Sequence, residues 1–144
     1  MNKLLTSIAL SVLACYAQSA IAHGDVAPQP VDVTGLEPLG AEWHSTNPYT
    51  ANEKAIEIGS SAYNQNCARC HGLGAVSGGI APDLRKLEPG EYGDEWYIER
   101  VRNGAIRNGV TYMPKFAESD GGPLSQEALW AIRAYLETLY DENL

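Results

Sequence analysis

Cys67, Cys70 and His71 stand in the pattern C-x-x-C-H, within Cys67-Ala68-Arg69-Cys70-His71. On a helix, positions i, i+3 and i+4 share one face, so two thiols and an imidazole can point the same way from a single turn. Thiols so placed can bond covalently to the two vinyl groups of a heme, and the imidazole beyond them meets the iron. C-x-x-C-H reads as a c-type heme attachment site for that reason. A zinc knuckle would use a similar cysteine pair but needs further ligands, and the chain has no second pair. A thioredoxin-like redox pair would want a βαβ neighbourhood, which the flanking sequence lacks.

His71 supplies one axial bond, so the chemistry turns on the other side of the iron. Met113, in Thr111-Tyr112-Met113-Pro114, lies 42 residues past His71 and is the one methionine besides Met1. A thioether is a soft, neutral ligand that favours ferrous iron and raises the potential. Pro114 stiffens the backbone and biases Met113 away from helix. A lone methionine also serves as core filler. His44 and His23 are the other candidate ligands, both in a segment where a solvated side chain is the ordinary role, and an open site is the remaining possibility. Pro82, in Ala81-Pro82-Asp83-Leu84, lies 11 residues past His71. Its carbonyl can accept from the distal ring N–H of His71, as groups behind a metal ligand do; an ordinary turn proline fits the spacing equally.

The elements that must position these groups are legible in outline. Thr50-Ala51-Asn52-Glu53 fits a capping box, opening a helix from about Ala51 to Asn66, a rod of ~24 Å that ends at the heme motif. Ala55, Ile58, Gly59, Ala62 and Tyr63 form its apolar stripe. Gly72 to Gly90 reads as a loop, long for a compact domain but suited to packing over a flat macrocycle. Asp94 can cap a short helix through about Asn103, with Trp96, Tyr97, Ile98 and Val101 apolar and Gly104 as its stop. Asn103-Gly104 and Asn108-Gly109 suggest turns that steer the chain round to Met113. Ser125 caps a last helix to about Tyr140, whose apolar face is interrupted by Arg133 and Glu137. Three helices with irregular connections and no convincing strand predict an all-α domain.

Ahead of that domain, residues 1–22 read as an export signal: Lys3, an apolar stretch from Leu4 to Ala14, and a small-residue cleavage site at Ala20-Ile21-Ala22. The apolar stretch is too short to span a bilayer. Val12-Leu13-Ala14-Cys15 offers a rival cut that would leave Cys15 lipidated. Residues 23–49 read as an extended arm broken by Pro28, Pro30, Pro38 and Pro48, with Val31, Val33, Leu36, Leu39 and Trp43 able to lie against the globule. Residues 50–144 then form the heme-binding domain. The formal net charge is −8. Lys3 is the only charge in residues 1–22, so their removal leaves 9 basic against 18 acidic side chains, a formal −9. That balance argues against nucleic acid and anionic membrane surfaces. With Cys15 removed and two cysteines in the motif, no disulfide framework is expected.

From Ala51 to Tyr140 these features together resemble the class I c-type cytochromes. The resemblance rests on Cys67-Ala68-Arg69-Cys70-His71, Ala81-Pro82-Asp83-Leu84, Tyr112-Met113-Pro114 and the final amphipathic helix. It implies three main helices and irregular loops around one covalently attached heme c. The first and last helices would cross with a glycine against an aromatic, at positions matched by Gly59 and Tyr135. Trp96 and Arg85 are the matching candidates for partners of the heme propionates, and Trp96 fits a plain core aromatic as well. A narrower resemblance is carried by His23-Gly24-Asp25-Val26-Ala27-Pro28, Gly35-Leu36-Glu37-Pro38-Leu39-Gly40, Tyr63 to Leu73 and Ala75 to Pro82. These segments are similar to small periplasmic cytochromes that serve quinoprotein (PQQ-dependent) ethanol dehydrogenases. The resemblance implies a monomeric periplasmic electron carrier rather than an enzyme, without stable membrane insertion. A quinoprotein alcohol dehydrogenase would be its donor, a terminal oxidase or another cytochrome its acceptor, and docking would bury less than ~1,200 Å². The rival expectations are a heme catalyst or gas-binding cytochrome with a labile sixth ligand, and a tethered subunit of a dehydrogenase or oxidase complex.

Overall fold

In the computed structural model, which describes residues 27–144, helices α1 (Glu53–Asn66), α2 (Ala68–His71) and α3 (Glu91–Asn103) are followed by strands β1 (Ala105–Arg107) and β2 (Val110–Met113) and by helix α4 (Gln126–Thr138). Short 3-10 turns connect them. The expected leader, Cys15 and His23 lie outside the described residues. Among those residues no helix is long and apolar enough to cross a membrane.

Helix α1 starts two residues later than the capping box suggests. The Asn52 side chain accepts from the Ala55 N–H at 3.0 Å, and Ala51 sits at φ 59°, outside the helical region. Ala55, Gly59, Ala62 and Tyr63 are buried as the stripe requires, while Ile58 is half-buried. Gly59 is where α1 crosses α4. A Cβ there would lie 1.9 Å from the Ala131 carbonyl oxygen, so the two backbones touch without an intervening side chain. Tyr135, expected against that glycine, pairs with Tyr63, ring centroids 5.5 Å apart.

Helix α4 is buried round most of its circumference, including Trp130 and Arg133. Ser125 caps it, accepting from the Ala128 N–H at 3.2 Å. Arg133, which reads in sequence as an interruption of the apolar face, is 0 % exposed. Its Nε donates to Asp94 Oδ1 at 2.6 Å and its Nη2 donates to the Glu88 carbonyl. Asp94 is therefore not the cap of α3. Gly90 holds that position, and Asp94 lies inside the helix, taken up by Arg133 and by the Asn47 N–H at 2.8 Å. A buried guanidinium outcompetes capping because its charge has no water to face.

The expectation of a purely helical domain needs one correction. β1 and β2 form a two-stranded antiparallel hairpin pairing Ile106 with Thr111 and Arg107 with Val110. Its turn is Asn108-Gly109, with φ of 50° and 77°. Two successive residues at positive φ make the turn whose twist matches antiparallel strands. The Asn-Gly pair expected only to redirect the chain builds a hairpin instead.

Residues 27–49 lie along the helices, as their apolar content suggests. The Gln29 N–H donates to Asn66 Oδ1 at 2.6 Å at the end of α1. Further on, the N–H groups of Leu39 and His44 donate to Glu127 and Gln126 on the first turn of α4. The Arg102 guanidinium stacks over Trp43, 4.9 Å from the ring centroid, and its Nε donates to Asp120 at 2.8 Å. The arm thus braces the segment that joins the hairpin to α4.

Candidate heme-binding site

The α1–α2 junction sets the first wall of the site. The N–H groups of Cys70 and His71 both donate to the Cys67 carbonyl, at 3.1 and 3.0 Å, which winds the motif into one helical turn. Gly72 then reverses the chain at φ 83°. A Cβ there would lie 1.9 Å from the Val76 carbonyl oxygen, so only glycine lets the following loop fold back. Tyr63 holds this turn from beneath, its hydroxyl donating to the Gly72 carbonyl at 2.8 Å. Burial raises the Tyr63 phenol above the ordinary tyrosine value, so it remains a donor.

Cys67, Cys70, His71 and Met113 all line one cavity of about 990 Å³. Met113 arrives at the end of β2. Gly104 makes room for it: at φ 68°, a Cβ on Gly104 would fall 2.4 Å from the Met113 carbonyl oxygen. The deep wall is apolar, formed by Leu129 and Ile132 of α4 with Val101 and Phe116. Tyr97 joins it, its hydroxyl tied to the Leu129 carbonyl at 2.8 Å.

His71 Nδ1 lies 2.9 Å from the Pro82 carbonyl oxygen. A carbonyl only accepts, so this contact places the proton on Nδ1 and leaves Nε2 with its lone pair. Burial, then the neighbouring Cys70 sulfur, pushes the Cys67 thiol up to about 12. A thiol held protonated is unlike the low-pKa nucleophile of a disulfide exchanger. Both cysteines are free, and among the described residues no cluster of three or more His, Cys, Asp or Glu could hold a metal ion by itself. Two unbonded thiols, an imidazole with a free lone pair and a thioether round a large apolar cavity fit a covalently held heme.

The remaining candidates separate. Trp96 lines the cavity and is half-buried. Arg85 does not line it: the Asp83 carboxylate engages its guanidinium through Nε at 3.0 Å and Nη2 at 2.7 Å. That hydrogen-bonded pair holds the Asp83 carboxyl well below the usual carboxylate range. His44 lies in the arm, away from the cavity lining. Arg100 escaped the sequence reading. It lines the cavity with its guanidinium 5.6 Å from the Trp96 ring centroid, and its i+4 spacing from Trp96 was the available signal. Ile80, Ile106 and Tyr112 line the cavity too.

Known proteins are similar to this chain over part or nearly all of its length. The family model described as cytochrome c oxidase, cbb3-type, subunit III matches residues 54–136. Cytochrome c550 of Pseudomonas aeruginosa is 60% identical over 146 residues, covering 97% of this chain and 98% of that protein. The quinohemoprotein alcohol dehydrogenase ADH-IIG of Pseudomonas putida is 40% identical over 73 residues, half of this chain but 10% of that protein. A second such dehydrogenase from Pseudomonas putida, ADH IIB, is 34% identical over 89 residues, 62% of this chain and 12% of that protein. No solved structure matches the chain.

Proposed function

This chain belongs to the cytochrome c family, and on that premise we propose that it is an exported carrier of single electrons, reduced by a quinoprotein alcohol dehydrogenase and oxidised by a terminal oxidase or another cytochrome. Its cofactor is one covalently bound heme c, and it is an electron-transfer protein rather than an enzyme. When bound, the heme supplies an iron that passes between the ferrous and ferric states.

The chain's own residues have distinct tasks in this reading. Cys67 and Cys70 tether the group to the turn that follows α1. His71 would offer Nε2 to the iron, its ring orientation and tautomer fixed by the Pro82 carbonyl. Met113 would supply a second ligand to the iron, a thioether that favours the reduced state. Arg100 and Trp96, both in the cavity lining, would donate to the heme carboxylates; Arg85 lies outside that lining, engaged by Asp83. Leu129, Ile132, Val101 and Phe116 keep water from the buried side. Three main helices round a single heme, preceded by an arm at 23–49 and a leader at 1–22, complete the architecture.

The observation that carries the proposal is the meeting of the Cys67–His71 turn and Met113 at one cavity. The donor reading is supported by two quinohemoprotein alcohol dehydrogenases that each contain a stretch similar to this chain. Two measurements test the reading. Carbon monoxide added to the reduced protein at neutral pH should bind slowly and incompletely; rapid, complete binding would mean an open sixth position and a heme catalyst or gas binder. Purified protein mixed with a PQQ-dependent ethanol dehydrogenase and ethanol should show heme reduction. Its absence, with reduction by another dehydrogenase, would remove the donor.

A further inference from the structure

We infer that Ser77 and Asp83 are positioning residues of the electron-transfer site: they clasp Pro82 from both sides, hold its carbonyl on the His71 ring, and so tune the reduction potential. The inference deepens the reading above and rests on His71 meeting the iron.

Pro82 has no N–H, and its ring fixes φ at about −65°. The direction of its carbonyl is then left to the residues on either side. The one before it is held by Ser77, whose hydroxyl donates to the Ala81 carbonyl at 2.5 Å and accepts from the Gly79 N–H at 3.0 Å. The one after it is held by its own carboxylate. Asp83 Oδ2 accepts from the Ser77 N–H at 3.3 Å and from Arg85 Nη2 at 2.7 Å. Its Oδ1 accepts from the Arg85 N–H at 3.1 Å and from Arg85 Nε at 3.0 Å. Ser77 therefore grips the chain on both sides of Pro82, once through its hydroxyl and once through its backbone. The far end is tied down as well. Leu84 is buried, and the Arg85 carbonyl accepts from the Asp141 N–H, beyond α4, at 3.0 Å.

The clasp works from outside the site. Ile80, Ala81 and Pro82 line the heme cavity, but Ser77, Asp83 and Arg85 do not. They reach His71 through the Pro82 carbonyl, which lies 2.9 Å from Nδ1. The Asp83 and Arg85 side chains keep 17% and 25% of their exposure, and an ion pair so close to water contributes little to stability. What the pair fixes is direction.

A carbonyl that accepts from Nδ1–H makes the imidazole a stronger donor at Nε2. A stronger donor favours ferric iron, and hydrogen bonds behind a ligand are one of the levers on a heme potential. A Pro82 carbonyl free to turn away weakens that bond. Loosening the clasp therefore raises the potential.

Redox potentiometry of the holoprotein and NMR exchange of the His71 Nδ1 proton in its reduced form test this. Ser77→Ala changes no charge. It should raise the ferrous-to-ferric ratio at a fixed potential about threefold, or roughly 30 mV, and speed exchange of the Nδ1 proton about tenfold. Ser77→Thr, which keeps the hydroxyl, should restore both. Asp83→Asn should move the potential the same way and keep the shift in about 1 M salt, where a bare charge effect is screened. An unchanged potential in Ser77→Ala, or an Asp83→Asn shift that salt abolishes, would overturn the inference. A lower unfolding midpoint with both readouts at their parent values would mark a purely structural role and overturn it too. A parent holoprotein whose His71 does not bind iron would remove the site reading and this inference with it. A parent with His71 on the iron, and variants at the parent potential, would remove this inference alone.

Discussion

Replacing Asp94 by asparagine tests the ion pair that joins α3, α4 and the arm. Arg133 is 0 % exposed and Asp94 2 %, with Nε and Oδ1 2.6 Å apart. The substituted amide keeps the size but not the charge, so the guanidinium would stay buried without its main counter-ion. Removing one partner of such a pair costs about 3–5 kcal/mol. The lower end applies here, because Glu137 lies 3.8 Å from the same nitrogen and the Glu88 carbonyl still accepts from Nη2. Arg133 Nη1 already lacks a partner, so there is no further slack to absorb the change. With a guanidinium m-value of about 3 kcal/mol per M, a loss of about 3 kcal/mol moves the unfolding midpoint down by about 1 M. Far-UV circular dichroism of the holoprotein reads the midpoint. A second variant, Asp94→Asn with Arg133→Met, should recover much of the loss, since an apolar side chain has no charge to strand. A single-variant shift of less than a third of that midpoint change, or a double variant worse than the single, would refute the reasoning.

Gly59→Ala should destabilise the fold by about 3 kcal/mol, because the added methyl would meet the Ala131 carbonyl at 1.9 Å and force the two helices apart; thermal unfolding measures it. Met113→Ala should leave the heme attached but lower the potential and let the reduced protein bind carbon monoxide quickly, read by redox titration and absorbance. Acid should weaken the fold as pH falls below about 4. The Arg85 hydrogen bond depresses the Asp83 carboxyl, and that of Arg102 depresses Asp120. A depressed carboxyl stabilises above its unfolded pKa, and the gain fades as pH drops through the folded value. Asp120→Asn should flatten that decline in a pH series of denaturation midpoints.

What the sequence determined by itself is what short-range geometry determines. The spacing of Cys67, Cys70 and His71 dictates a shared face because one helical turn spans them, and Met113 was the one sulfur placed to join them. The Asn52 cap and the Asn108-Gly109 turn were also local, and were misread only in detail: one moved a helix start, the other closed a hairpin. Tertiary structure decided the matters that depend on which distant surfaces meet. Asp94 could look like a cap until Arg133, 39 residues away, claimed it. Folding pairs Arg85 with Asp83 outside the cavity lining and sets Arg100 beside Trp96 within it. Net charge was legible at once. The lack of carboxylates among the described residues that line the cavity was not, because a sum over the chain carries no direction, and only packing brings Arg69, Arg100 and Arg107 to that lining.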